Sequence, residues 1–83
     1  MKVSVRYFAS VREALGPGET LEVEPGATVG SVRAALIARD AAHAAVLHRG
    51  RAVRSALDQV LCDEDAVVRD GAEIGFFPPV TGG

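Results

Sequence analysis

An α+β domain, with a mixed sheet of four to five strands and one main helix packed on one face, is predicted by three features of the chain. Stretches near both ends alternate apolar and polar residues, the period of half-buried strands. Between them, "TVGSVRAALIARD" (28–40) spaces its apolar residues for a helix. A hairpin running into such a helix needs a right-handed crossover, which places a later strand parallel beside the first.

From Lys2 to Phe8, Val3, Val5 and Tyr7 share one side and Ser4 and Arg6 the other, which predicts strand one. "SVRE" (Ser10 to Glu13) fits a capping box opening about one helical turn, with Val11 and Leu15 on one face. "GPG" (Gly16 to Gly18) ends that turn. "TLEVE" (Thr20 to Glu24) brings Leu21 and Val23 together in a second strand, antiparallel to the first. Thr28 is the expected N-cap of the main helix. In that helix Val29, Val32, Ala35 and Leu36 are expected in the core, with Arg33, Arg39 and Asp40 in solvent.

"AAHAAVL" (Ala41 to Leu47) continues as a further turn or a short helix. After a basic connection, Ser55 to Leu61 reads as a single third strand, and Val67 and Val68 as a short one. "RDG" turns the chain into the last strand, Ala72 to Phe77, with Ile74 and Phe76 on the core side and Phe77 on the other. No repeat, linker or low-complexity segment interrupts this plan.

The 83 residues make one domain. A domain of this size buries only roughly 60–65% of its unfolded surface, which leaves little room for a buried active site. With 48% apolar residues, 24% charged residues and a net charge of -2, the composition fits a globular protein and argues against nucleic acid as a partner. A single cysteine, Cys62, makes no internal disulfide, and a reducing compartment is expected. "MKVSVRYF" alternates where a signal peptide would be continuously apolar, and no run approaches a membrane span, so the cytosol is the expected location and no membrane the expected partner.

Inside the domain, side-chain chemistry is sparse. His43 and His48 lie five apart without cysteine or a well-placed carboxylate to complete a zinc set, and no metal is expected. Cys62 can hold a persulfide or act as a nucleophile in principle, but with no helix start or base evident beside it, it reads as a small hydrophobe. Asp63, Glu64 and Asp65 lack the glycine and spaced oxygens of a calcium loop and read as a solvated turn. Arg49, Arg51 and Arg54 could meet an acidic partner or nucleic acid, but without neighbouring aromatics they read as an exposed loop. The glycines fall at turns and form no phosphate-binding loop.

The sequence closes on "FFPPVTGG" (Phe76 to Gly83), which carries no charged side chain. Pro78 has no amide donor and pushes Phe77 toward extended geometry, so the sheet is expected to end near Phe77. Pro79 stiffens the exit, and the six residues from Pro78 to Gly83 span at most about 20 Å. Phe77 is a candidate partner contact, and Val80 and Thr81 are candidate lining residues of an inserted tail. Gly82 and Gly83 let backbone pass through a narrow channel. The reactive group delivered there is the Gly83 carboxylate, which is inert toward thiols and amines until it is activated.

"DGAEIGFFPPVTGG" closely resembles the end of the molybdopterin synthase small subunits, the MoaD-type ubiquitin-like sulfur carriers of the MoaD/ThiS family. "VRYFASVREALG" is similar to the family's opening strand and capped turn, and "LDQVL" stands where the family has an Asn-containing strand, with Asp58 a departure. The resemblance implies a ubiquitin-like β-grasp domain over 1–77 and a protruding tail over 78–83. It implies that an E1-like partner adenylates Gly83 with ATP and converts it to a thiocarboxylate, the sulfur being carried covalently with no cofactor bound. It further implies that Pro78, Pro79, Val80, Thr81, Gly82 and Gly83 enter a large synthase subunit, in a heterotetramer. There the sulfur passes to cyclic pyranopterin monophosphate in molybdenum cofactor biosynthesis, a sulfurtransferase activity the small subunit lacks alone.

Three other readings stay open. In one, Gly83 is joined to a lysine of a target protein, although self-conjugation is limited because Lys2 is the sole lysine. In the second, the chain carries sulfur for thiazole or cysteine synthesis. In the third, it is a plain interaction domain.

Overall fold

The structure, a computed structural model, describes residues 1–79. The chain forms β1 (Lys2–Tyr7), α1 (Ala9–Leu15), β2 (Gly18–Glu22), α2 (Val29–Arg39), α3 (Ala41–Leu47), β3 (Arg54–Leu57), β4 (Val60–Cys62) and β5 (Glu73–Phe77). The strands make one sheet in the order β2-β1-β5-β3-β4. β1 pairs antiparallel with β2 and parallel with β5, and β5 and β4 each pair antiparallel with β3. The later strand that lies parallel beside β1 is β5, at the centre of the sheet. This is the mixed sheet expected of a β-grasp domain.

Alternation decides which side of each strand is dry. Val3, Val5 and Tyr7 of β1, Leu21 of β2, and Ile74 and Phe76 of β5 are buried on one face of the sheet. Val29, Val32 and Leu36 of α2, with Leu47 of α3 and Val11 of α1, complete the core on that face. Thr28 caps α2 in a reciprocal box with Ser31: the Thr28 hydroxyl accepts from the Ser31 amide at 3.1 Å and the Ser31 hydroxyl from the Thr28 amide at 2.9 Å.

Several elements differ from the expectations. Val29, Val32, Arg33 and Leu36 are the buried residues of α2, and Ala35 is exposed. That set is the i, i+3, i+4, i+7 stripe of an amphipathic helix, so the spacing was sound and the residue chemistry misled. Arg33 can lie inside because its donors are used. Nε reaches the Leu47 carbonyl at 2.7 Å, Nη1 the Glu64 carboxylate at 2.8 Å, and Nη2 the carbonyls of His48 and Arg51 at 3.0 and 3.1 Å.

Glu64 is therefore no plain member of a solvated turn. It also pairs with Arg49, and its backbone carbonyl accepts from the Gly30 amide at 2.9 Å. Burial raises its pKa, but the hydrogen bonds from Arg49 and Arg33 outweigh that and hold the carboxyl below its ordinary value.

Ser10 does not cap α1. The N-cap is Phe8, which lends no side-chain bond, and Ala9 starts the helix at φ 51. The helix is longer than one turn, running through Leu15 to a left-handed Gly16. Strand two begins earlier than expected, at Gly18, and ends at Glu22.

The single strand expected over 55–61 is a hairpin, β3 and β4, reversed at Asp58 and Gln59 with φ of 49 and 70. Two successive positive φ values suit a tight hairpin, a role usually signalled by Asn-Gly or Asp-Gly. Val67 forms only an isolated bridge to Thr28, while Val68 packs into the core. The segment 41–47 is a separate helix because Asp40, extended at φ -166, breaks α2 and caps α3 through the His43 amide at 2.9 Å.

Candidate functional site on the open sheet face

Among the described residues no helix covers the second face of the sheet, and cross-strand register fixes what it shows. Residues paired across neighbouring strands project to the same side. Arg6 stands beside Gly75, Gly75 beside Ala56, and Ala56 beside Leu61; one step along, Phe77 stands beside Arg54. Arg6 and Arg54 are exposed and, among the described residues, form no ion pair. Phe76 pairs instead with Tyr7 and Ser55 on the helix side. The two adjacent phenylalanines thus serve opposite faces.

Phe8 completes the surface. Its amide donates to the Phe76 carbonyl at 3.1 Å, which anchors the turn out of β1. Its ring lies over Gly75, so close that a Cβ there would stand 3.0 Å from Phe8 Cε2. The ring is held while remaining 41% exposed. Ala9, in the left-handed region that a non-glycine residue enters at a cost, redirects the chain into α1 immediately after it.

Phe8, Ala56, Gly75, Phe77 and Pro78 enclose a shallow apolar depression of about 470 Å³, bounded by Ala9, Gln59 and Glu73. Leu61, 58% exposed, extends the apolar surface toward the sheet edge. Exposed apolar residues gathered in one place are a mark of protein association. The depression sits at the point where the chain leaves β5 through half-buried Phe77, Pro78 and Pro79. Val80, Thr81, Gly82 and Gly83 lie outside the described residues.

Asp58 has a structural role beneath this surface. Its amide donates to the Glu73 carbonyl at 2.8 Å, and its Oδ1 accepts from the Glu73 amide at 2.9 Å. A carboxylate oxygen supplies here what an amide oxygen also can, so the departure from Asn keeps the acceptor that ties the hairpin turn to β5.

The remaining candidates lie elsewhere. Cys62 is half-buried against the core, with its sulfur 3.9 Å from Ser55 Oγ. His48 Nδ1 accepts from the Gly50 amide at 3.1 Å. His43 lies between two carboxylates, Nδ1 at 2.7 Å from Asp40 Oδ1 and Nε2 at 2.7 Å from Glu19 Oε2. Glu19 also accepts from the Tyr7 hydroxyl at 2.6 Å and pairs with Arg39.

Burial pulls the His43 pKa down, but the hydrogen bonds and charges of Glu19 and Asp40 outweigh it and set it above the ordinary value. Burial, reinforced by the Glu19 carboxylate, raises that of Tyr7. This cluster clamps β2 to the α2–α3 junction. Among the described residues no group of three or more His, Cys, Asp or Glu is placed to hold a metal ion, and no helix is long and apolar enough to cross a membrane.

Phe8 and Leu61 are the surface residues that the sequence left unassigned. Alternation carried through Phe8 puts it on the side of Ser4 and Arg6, but its packing over Gly75 needs the pairing of β1 with β5, and Leu61 takes its place only once 55–61 is divided into β3 and β4.

Comparison with known proteins gives this surface a context. The molybdopterin synthase sulfur carrier subunit of Escherichia coli (strain K12) is 37% identical over 81 residues, covering 98% of this chain and 99% of that protein. The small archaeal modifier protein 1 of Haloferax volcanii has a similar structure, with TM-score 0.80, 25% identity and 100% of both chains covered. Similar too is a chain from the complex of subunits 1 and 2 of molybdopterin-converting factor of Helicobacter pylori 26695, with TM-score 0.71, 25% identity and 100% of both chains covered. Residues 5–83 match the ThiS family along nearly the whole domain and through the diglycine, and the chain belongs to that family.

Proposed function

We propose that this protein is the sulfur-carrier subunit of a molybdopterin synthase, with the Gly83 carboxylate as its working group. The observation that carries the reading is the apolar depression formed by Phe8, Gly75, Phe77 and Pro78 at the root of a Pro-Pro-Val-Thr-Gly-Gly tail. A partner seated on that depression receives the tail at a fixed origin, and the tail is long enough to enter it. Kinship with the Escherichia coli carrier subunit, and likeness to a chain from a complex of subunits 1 and 2, support a large subunit as the partner.

In this proposal an adenylating enzyme attaches AMP from ATP to Gly83, releasing pyrophosphate. A sulfur donor then displaces AMP and leaves a thiocarboxylate. The large subunit binds the depression, takes in residues 78–83 and directs the sulfur to cyclic pyranopterin monophosphate; two such transfers build a dithiolene. The domain supplies docking and delivery, and most catalytic side chains belong to the other protein. Likeness to the archaeal modifier favours a second use, in which the same activated end is joined to a lysine of another protein.

The test is reconstitution with a large subunit and the pterin precursor. Thiocarboxylated chain is expected to yield product, and a chain lacking Gly83 none. Intact-mass analysis of protein from cells making the cofactor is expected to show one oxygen replaced by sulfur at the native end. An unmodified end in such cells, together with lysine adducts on other proteins, favours the modifier use.

A further inference from the structure

The sheet ends on β2 at one side and on β4 at the other. An edge strand presents unpaired N–H and C=O groups, and proteins commonly blunt it by keeping it short or by setting proline or lysine in it. β4 is short, with 3 residues, whereas β2 runs for 5, from Gly18 to Glu22, without proline or lysine.

Hydrogen bonds at the two ends of β2 fix which of its groups face outward. The Met1 ammonium donates to the Val23 carbonyl at 3.0 Å and the Val23 amide to the Met1 carbonyl at 2.7 Å, while the Tyr7 amide donates to the Pro17 carbonyl at 3.0 Å. Antiparallel pairing alternates, so Glu19 and Leu21 face β1 as Pro17 and Val23 do. The amides and carbonyls of Gly18, Thr20 and Glu22 point away from the sheet. Among the described residues nothing bonds them.

The side chains along this edge are self-complementary. On the open face Arg6 stands beside Gly18, Ser4 beside Thr20 and Lys2 beside Glu22. Position 18 has no room for a side chain, because a Cβ would stand 2.3 Å from the Val5 carbonyl oxygen. Arg6, exposed and without an ion pair among the described residues, is therefore uncovered toward the edge, at a depression of about 340 Å³ whose lining includes Gly18 and Thr20. At the other end of the strand Glu22 is 75% exposed, with the Lys2 and Met1 ammonium groups no nearer than 3.9 and 4.0 Å.

We propose that β2 is an interface through which two copies of this chain associate, antiparallel about a two-fold axis at Thr20, joining their sheets into one. In that register Thr20 faces Thr20 of the second copy and Gly18 faces its Glu22, each pair exchanging both N–H···O bonds. Glu22 of one copy then lies about 10 Å from Arg6 of the other, Cα to Cα, with bare Gly18 between them, a gap that two long side chains of opposite charge close. The two-fold axis makes this contact twice, and facing threonines are a favourable cross-strand pair. Because both halves of the charge match lie on this chain, a second copy fits the edge better than an unrelated extended segment does. The copies meet in the plane of the sheet, so the depression at Phe8, Gly75 and Phe77 stays open, and the inference is independent of any chemistry at Gly83.

Sedimentation velocity over a dilution series is expected to show a monomer–dimer equilibrium, with amide exchange at Gly18, Thr20 and Glu22 slowing as the dimer fills. Thr20→Pro removes an outward amide and leaves the bonds to β1 intact. It is expected to weaken dimerisation by about tenfold or more while the far-ultraviolet dichroism stays that of the parent. Arg6→Glu sets like charges across Gly18 in both halves and is expected to have a similar effect, with Arg6→Glu combined with Glu22→Arg restoring the dimer. This charge exchange decides the matter even if Thr20→Pro fails to fold. A chain that stays monomeric up to about 1 mM overturns the inference. So does a dimer indifferent to Arg6→Glu, or one whose slowed amides lie in β4 or beside Phe8 and Phe77.

Discussion

One strand does two jobs on its two faces. On the helix side of β5, Ile74 and Phe76 are wholly buried and packed among α2, α3 and β1. On the open side, Gly75 offers a bare floor to the Phe8 ring, and Phe77 stands half-buried next to the exit of the chain. The first face draws its energy from closure: a phenylalanine removed from water contributes of order 1.5–3 kcal/mol. The second leaves part of its apolar surface in water, with Phe8 41% exposed and Phe77 half-buried, and that part gains burial energy only when something covers it. Core packing and the proposed association therefore fall on alternate residues of the same short strand.

Substitutions can break that division. Phe76→Ala is expected to have the largest effect, a loss of about 3–5 kcal/mol that consumes much of the stability of a small domain. A urea titration reads it directly. Arg33→Ala comes next, at about 3 kcal/mol, because it strips a buried polar cluster and leaves the Leu47, His48 and Arg51 carbonyls without their donor. In both, affinity for the large subunit measured on the remaining folded protein is expected to stay unchanged.

Phe77→Ala should do the reverse. Affinity is expected to fall by about tenfold or more, as for a central apolar contact, while stability changes by less than about 1 kcal/mol. Calorimetric binding beside thermal melts separates the two, and equal affinity with lower stability would place Phe77 with the core. Asp58→Ala, which removes the acceptor for the Glu73 amide, is expected to cost about 1 kcal/mol.

A smaller effect follows from pH. The folded state favours protonated His43, whose stabilising contribution is whole below the ordinary value of 6.5 and is lost as pH rises through the raised folded-state value. Unfolding midpoints should therefore decline over that window, and His43→Gln should flatten the decline.

The strands with simple alternation were legible because period two leaves one solution for which residues are buried. β1 and β5 followed from Val3, Val5, Tyr7, Ile74 and Phe76. The hairpin at Asp58 and Gln59 was hidden because neither residue is glycine, and the left-handed backbone there is held by bonds to β5 that are distant in sequence. Arg33 was misplaced because the worth of a buried guanidinium depends on carbonyls from 47 to 51 that a linear reading does not bring near. The apolar depression was half legible. Phe77 follows from alternation beside Phe76, but Phe8 owes its place to Gly75, a neighbour only through the parallel pairing of the first strand with the last.

That central pairing has a mechanical consequence. A partner that tugs on the tail while β1 is held from its start loads the β1–β5 ladder along its length. The hydrogen bonds between the two strands then share the load together and do not open one by one, as they would if the strands were peeled apart. The parallel register therefore lets the molecule resist traction along the line on which a threaded tail would be drawn or released.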